Sequence, residues 1–263
     1  VHRFEEAIEM LNRCFEVAQE LEDHAGACQS LGKLGNVHFL LSDFSLAIEV
    51  LHKQLALAET MADDAGQAAT CGNLGAVYSS LSRHSDAVEM FQKHLVLAQK
   101  LGDVEGQAQT CSNLAISFEH LGRHAEAIEC LSNQRDLTKL LGDEAGQAEA
   151  AGRLGLALIA TSCLDKAILF LSESLELLES CGLVEQQAQT LQTIGMLSLG
   201  LGHYTKADEC LTKAKAIAIE LNKQAALGKI CTNLGIVKLR LGSYVQALEL
   251  HLQAQSIAIE LAD

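Results

Sequence analysis

One dipeptide recurs along this chain at a constant interval. A Leu-Gly pair or a close variant returns every forty residues, with no insertion or deletion, at Leu34-Gly35, Leu74-Gly75, Leu114-Ala115, Leu154-Gly155, Ile194-Gly195 and Leu234-Gly235. An alanine series keeps the same step, at Ala7, Ala47, Ala87, Ala127, Ala167, Ala207 and Ala247. A fixed period of this length is the sequence signature of a repeat architecture, in which each unit buries its apolar face against its neighbours.

Each forty-residue unit contains two apolar patterns with helical spacing. In one unit these are Cys71, Leu74, Tyr78 and Leu81, followed by Ala87, Phe91, Leu95, Ala98 and Leu101. Glycines stand where the C-terminus of a helix uses a left-handed residue, at Gly102, Gly122, Gly142, Gly202 and Gly242. The pattern predicts an all-α protein built from antiparallel helix pairs.

The glycine of the Leu-Gly pair falls inside the first helix of each pair. Glycine in a helix costs about 1 kcal/mol relative to alanine, so its recurrence needs a reason. We predict that Gly75 and Ala87 lie where the two helices of one hairpin cross, because small residues allow the backbones to approach closely.

Composition supports helices and excludes several classes of function. The chain has no proline or tryptophan, and its formal charge is -15, which disfavours binding to nucleic acid or to an anionic membrane. No apolar run approaches the roughly 20 residues that span a bilayer. We expect a cytoplasmic protein without membrane insertion.

The cysteines and histidines do not indicate disulfides, metal or catalysis. Cysteines share repeat positions with apolar residues, which is typical of small core side chains; these are Cys71, Cys111, Cys130, Cys210 and Cys231. His120 and His124 flank Gly122 at a helix end, so they do not share a helix face as metal ligands would. No phosphate loop or nucleophile motif is present, and we predict no cofactor and no enzymatic activity.

The order of residues in each unit resembles the tetratricopeptide repeat family. Its signature of a large residue, Leu-Gly, Tyr, Ala and Phe is matched by Cys71, Leu74-Gly75, Tyr78, Ala87 and Phe91. The resemblance covers essentially the whole chain and implies a right-handed superhelical solenoid. Forty-residue units with phrases such as Gly106-Gln107-Ala108 are also similar to those of the LGN/Pins group of scaffolds.

The repeat phase gives a domain prediction. Residues 1–263 form a single solenoid domain, in which residues 1–22 are the second helix of a truncated repeat. Six repeats then follow at about 23–62, 63–102, 103–142, 143–182, 183–222 and 223–263. The repeat at 183–222 departs from the others at Leu183-Val184 and Ser198, which indicates either a second contact surface, a change of curvature or simple drift.

The resemblance also implies where a ligand binds, because the first helices of such arrays line a concave groove. Carried over to this sequence, the predicted groove residues are Lys33, Asn36, Asn73, Gln109, Asn113, Arg153, Gln189, Lys229 and Asn233. These positions are amide or basic in an acidic chain, and a mostly apolar row runs beside them. Gly32, Ala69 and Gly72 stand where the carboxylate-clamp subtype is polar or basic, which disfavours that subtype.

A protein or peptide is therefore the expected partner. We predict a non-catalytic scaffold whose groove binds an extended segment with acidic and apolar residues. One alternative is a regulatory domain of a larger signalling or enzymatic protein, binding a segment of that protein in cis. Another is self-association through the ends of the solenoid or through surface cysteines.

Overall fold

The protein is all-α, as the sequence predicts. A computed structural model describes residues 2–261, apart from the side chain of His2, and this part of the chain forms thirteen α-helices and no strand. The helices are α1 His2–Glu20, α2 His24–Leu40, α3 Phe44–Thr60, α4 Asp64–Ser80, α5 His84–Leu101, α6 Val104–His120, α7 His124–Leu141, α8 Glu144–Ala160, α9 Leu164–Ser180, α10 Val184–Gly200, α11 Tyr204–Glu220, α12 Gln224–Arg240 and α13 Tyr244–Glu260.

The helices pack as consecutive hairpins in two compact units. Unit 1, Val1–Leu141, contains α1 and the hairpins α2/α3, α4/α5 and α6/α7. Unit 2, Gly142–Asp263, contains the hairpins α8/α9, α10/α11 and α12/α13. The assignment of the whole chain to a single domain, with the repeat limits given above, stays a prediction.

Close packing inside each hairpin explains the repeated glycine. A Cβ atom added to Gly75 would lie 2.5 Å from the ring of Phe91, and one added to Gly155 would lie 2.6 Å from Leu171 Cγ and 3.1 Å from the carbonyl oxygen of Ala167. Ala167 is completely buried. The predicted close approach of the two helices is confirmed, and the second helix supplies a large side chain one turn after its small one.

Four first helices begin with the same aspartate cap. The side chain accepts a hydrogen bond from the backbone N–H of the glycine three residues later, at 2.9 to 3.0 Å, in the pairs Asp23 and Gly26, Asp63 and Gly66, Asp103 and Gly106, and Asp143 and Gly146. A Cβ atom at Gly26, Gly66 or Gly106 would lie 2.1 to 2.3 Å from that carboxylate, so glycine leaves room for the cap. The helices that begin after Leu183 and Lys223 have no side-chain cap.

Five of the nine cysteines are buried in the core, namely Cys28, Cys71, Cys111, Cys130 and Cys231, whereas Cys210 is half-buried. Cys71, Cys111 and Cys231 are at most 2% exposed, and all nine thiols are free. Burial raises the pKa of Cys111 to about 11 and that of Cys130 to about 12. These thiols therefore stay protonated and unreactive at neutral pH, which confirms their predicted role.

Left-handed residues end the helices at a regular step. Glycines take this conformation at Gly102, Gly122, Gly142, Gly182, Gly202 and Gly242, with φ between 68° and 79°. Other residues take it at the equivalent positions, at Glu22, Ser42, Ala62, Ser82, Ser162 and Asn222. A Cβ atom makes this conformation unfavourable by about 1–2 kcal/mol, so these six positions are locally strained.

The strain at Ala62 gives a stability prediction. Ala62 has φ of 51°, so Ala62→Gly should stabilise the protein by about 0.5–1 kcal/mol, measured as a higher urea midpoint. Ala69→Gly makes the same chemical change at an exposed site inside α4 and should destabilise by about 1 kcal/mol. Effects of the same sign at both positions would contradict the left-handed geometry.

Candidate functional site

Three pairs of first helices contact each other within the two units of the described chain. In unit 1, α2 contacts α4 and α4 contacts α6, and in unit 2, α10 contacts α12. The faces that the first helices α2, α4, α6, α8, α10 and α12 expose in each unit are here called the first-helix surface.

The predicted groove residues all lie on first helices and reach solvent. Five of them are exposed, namely Lys33, Asn36, Gln109, Gln189 and Lys229. The other four, Asn73, Asn113, Arg153 and Asn233, are half-buried. Lys33 and Lys229 form no salt bridge with any residue from 2 to 261. Their role in binding stays a prediction.

The structure brings some of these residues together. Gln109 Nε2 donates a hydrogen bond of 3.4 Å to Asn113 Oδ1 on α6. In unit 2, Arg153 and Gln189 line one cavity of about 560 Å³, together with Glu149 and Leu156. This cavity combines a guanidinium, an amide, a carboxylate and an apolar wall, so it can contact both charged and apolar groups of a ligand.

A second set of polar residues was missed because sequence reasoning considered only the first helices. The cavity of unit 2 is also lined by Ser174 on the second helix α9. In unit 1, a cavity of about 510 Å³ is lined by Cys14 on α1. Cys14 and Ser174 occupy the same position of the forty-residue repeat, because they are 160 residues apart. The intervening residues at this phase are Gln54, His94 and Gln134. These three residues of unit 1 are here called the floor row.

Small residues on the first helices face the floor row. A Cβ atom on Gly32 would lie 2.7 Å from Gln54 Nε2, and one on Gly72 would lie 3.0 Å from His94 Nδ1. These glycines therefore leave space for long polar side chains from the second helices. The sequence contains this pattern, since Gln54, His94 and Gln134 follow one another at a forty-residue step. From the sequence alone, Gly32 and Gly72 served only as an argument against the carboxylate-clamp subtype.

The hydrogen bonds of His94 define its tautomer. Thr110 Oγ1 donates its single proton to the carbonyl oxygen of Gly106 at 2.7 Å, and it lies 3.0 Å from His94 Nδ1. His94 Nδ1–H must therefore be the donor to Thr110. Burial lowers the pKa of His94, opposed by Asp103, whose charge raises it. The imidazole is thus neutral, and Nε2 carries a lone pair that can accept a hydrogen bond.

The turns between first and second helices hold aromatic and cationic contacts. Arg83 lies over the ring of Tyr78 and Arg123 over that of Phe118, each at 4.6 Å. The rings of His84 and His120 stack at 4.2 Å between centroids. His84 is half-buried, and its pKa is lowered mainly by burial and also by the nearby His120.

Neither a metal site nor a membrane span is found in the described part of the chain. Among residues 2–261, no group of three or more His, Cys, Asp or Glu side chains is arranged to hold a metal ion. None of the described helices is sufficiently long and apolar to cross a membrane.

Comparison with protein-family models identifies the family of the chain. A tetratricopeptide repeat model matches residues 1–60, 27–100 and 104–180, and a second tetratricopeptide repeat model matches residues 188–218. The chain belongs to the tetratricopeptide repeat family. Repeats of this family are protein-protein interaction modules and are generally non-catalytic. Curated proteins provide no match to the sequence.

Solved structures with similar folds support this assignment. BtubC (BKLC) from P. vanneervenii has a TM-score of 0.64 at 18% identity, covering 98% of this chain and 92% of that chain. A STAND signal transduction ATPase with a tetratricopeptide repeat sensor, from Pyrococcus horikoshii, has a TM-score of 0.75 at 15% identity. The match covers 98% of this chain and 42% of that chain. Aspartyl phosphate phosphatase F from Bacillus subtilis has a TM-score of 0.62 at 12% identity, covering 92% and 73%.

The neutral state of His94 gives a prediction of pH dependence. In the unfolded protein, His94 has the ordinary histidine pKa of about 6.5. As the pH falls through this value, His94 binds a proton more readily in the unfolded protein than in the folded one. The free energy of unfolding therefore decreases. His94→Gln introduces the residue found at positions 54 and 134 and removes this loss. Between about pH 7.5 and 5.5, the urea midpoint of the wild type should fall more than that of His94→Gln.

The matched control is His203→Gln, at an exposed turn of unit 2. This variant should keep the pH dependence of the wild type. Equal pH dependence of the wild type and His94→Gln would show that His94 is not held neutral by its burial.

Proposed function

We propose that this chain is a non-catalytic scaffold that binds an extended segment of a partner protein on its first-helix surface. The segment carries acidic residues alternating with apolar ones. The observation that carries the proposal is the contrast between this surface and the rest of the protein. The predicted groove residues are amides, lysines and an arginine, whereas the chain as a whole carries a formal charge of -15.

The exposed side chains supply the interactions that such a segment needs. Asn73 and Asn113 can both donate to and accept from a peptide backbone. Lys33 and Lys229 are exposed and attract carboxylates, at long range as well as in contact. Exposed apolar residues follow the Leu-Gly pairs at Ile116, Leu156 and Met196, which are 39%, 54% and 50% exposed. A ligand with both acidic and apolar side chains satisfies both kinds of position.

Selection of peptides tests the proposal. The full chain, under reducing conditions, is used to select 15-residue peptides from a random displayed library. The selected sequences should be enriched in Asp, Glu and apolar residues, and their affinity should fall as the salt concentration rises. Failure to select any sequence family, or enrichment of Lys and Arg, would contradict the proposal.

A pair of asparagine variants locates the binding surface. Asn113→Asp keeps an oxygen for Gln109 Nε2 but adds a negative charge, so it should weaken binding of the selected acidic peptide about tenfold. Asn133→Asp makes the same change at an exposed position on the second helix α7 and should leave the affinity unchanged. Circular dichroism of both variants controls for folding, and equal affinities would exclude α6 from the site.

A second candidate is a regulatory domain that binds a segment of its own larger protein. It is favoured by the likeness to the sensor-bearing STAND protein, of which this chain covers less than half. The two proposals differ in the source of the ligand. If a segment of the full-length protein that contains this chain competes with the selected peptide, binding in cis is supported. If the selected peptide binds and no such segment competes with it, a separate partner is favoured.

Self-association stays a further prediction. The last helix, α13, exposes several large apolar side chains, among them Tyr244, Val245 and Leu248 at 62% to 73%, and Cys14 and Cys163 are exposed thiols. Light scattering under reducing conditions distinguishes the cases. A monomer at all concentrations would exclude association through these surfaces.

A further inference from the structure

The floor row contains polar atoms that lack partners. Gln54 is 7% exposed and Gln134 is 6% exposed, and the Oε1 atom of each is buried with no hydrogen bond to any of residues 2–261. Buried side-chain amides are normally paired in folded proteins. Two unpaired amides at the same repeat position of unit 1 therefore call for a physical explanation.

Each floor-row side chain also has a nitrogen atom without a hydrogen bond. Nε2 of Gln54, Nε2 of Gln134 and Nε2 of His94 form no hydrogen bond with the described residues, and none of these atoms is among the buried unpaired ones. Gln54 Nε2 is the floor-row atom nearest to Gly32, where a Cβ atom would come within 2.7 Å. Gly32 and Gly72 therefore lie against Gln54 and the His94 ring, whereas the corresponding residue of α6 is Ser112.

The three accessible nitrogens form a defined pattern of hydrogen-bonding groups. Gln54 and Gln134 offer amide donors, and rotation of the amide would offer their oxygens instead. Between them along the repeats, His94 offers an acceptor, because its proton is on Nδ1 and is donated to Thr110. All three side chains are uncharged, unlike the lysines and the arginine of the first helices.

Unit 2 lacks this pattern at the same repeat phase. Ser174 donates its hydroxyl proton to the carbonyl oxygen of Ala148 at 2.7 Å, so that proton is already used. The next two positions of the phase are Ala214 and Ala254, which have no polar side-chain atom. The hydrogen-bonding floor is therefore a property of unit 1.

We propose that the floor row of unit 1 is a binding site for uncharged polar side chains of a bound segment. Hydroxyl or amide groups of Ser, Thr, Asn or Gln donate to His94 Nε2 and accept from the amide nitrogens of Gln54 and Gln134. This inference rests on the proposed function, since the segment is the one held on the first-helix surface. It adds a requirement for neutral polar residues to the acidic and apolar ones.

Crowding of the His94 ring tests the inference. Gly72→Ala places a methyl group 3.0 Å from His94 Nδ1 and also favours the helix, so the fold should be retained. Affinity for the selected peptide should fall about 2- to 10-fold, which corresponds to the loss of one hydrogen bond. Gly200→Ala, in helix α10 with no atom within 4 Å of the added Cβ, is the matched control and should bind like the wild type.

A spectroscopic measurement on the unmodified protein makes the test independent of Gly72→Ala. With ¹⁵N-labelled histidine, the Nε2 resonance of His94 should shift when the selected peptide saturates the protein, while that of the exposed His203 should not. Replacement of the Ser, Thr, Asn or Gln residues of the peptide by alanine should abolish the shift of His94.

The outcomes separate this inference from the proposed function. A peptide whose binding is weakened by Asn113→Asp, but which leaves the His94 resonance unchanged and binds Gly72→Ala normally, would retain the proposed function and overturn the floor site. Loss of both responses, with no peptide bound by the wild type, would overturn both.

Discussion

Close contact between the two helices of each hairpin is the constraint on which the rest of the structure depends. Only glycine fits beside Phe91 in α4 and beside Leu171 in α8, since an added Cβ would lie about 2.5 Å from those side chains. Each glycine costs helix stability, but it allows a large side chain to fill the space between the helices. The contact recurs at Gly35, Gly195 and Gly235, each time with the side chain sixteen residues later, so the two helices of these hairpins share one alignment; in α6 the position is Ala115.

That alignment creates the candidate site. Helix α4 contacts α2 and α6 in unit 1, and Lys33, Asn73 and Asn113 on these three helices reach solvent. Gly32 and Gly72 on the first helices lie beside polar side chains instead of apolar ones. Here the space is filled by the polar side chains Gln54 and His94 from the second helices. Glycine thus sets both the backbone spacing and the chemistry that reaches the first-helix surface.

Much of the fold could be predicted from the sequence because its signals are local and repeated. The Leu-Gly step gave the all-α hairpins, and the position of Gly102 at a helix end gave its left-handed conformation. The cysteine phase correctly indicated core residues. Left-handed Ala62 and Ser82 could not be identified by residue type, because the conformation is imposed there by the repeat geometry and not by local preference.

The site was less predictable, since binding chemistry depends on which atoms remain accessible after packing. Prediction of the floor row requires knowing which side chains of the second helices pass beside a first helix. Assignment of the His94 tautomer requires the contact with Thr110, which the sequence alone does not show. The stack of His84 on His120 joins residues thirty-six positions apart, which no short motif encodes.

Side-chain amide resonances test the central claim most directly, because asparagine and glutamine lie on both surfaces of unit 1. When the selected peptide saturates the full chain, the amide resonances of Asn73, Asn113 and Gln54 should shift. Those of Asn133 and Gln92, exposed on second helices, should stay unchanged. Shifts confined to Asn133 and Gln92 would place the ligand on the second helices and contradict the account.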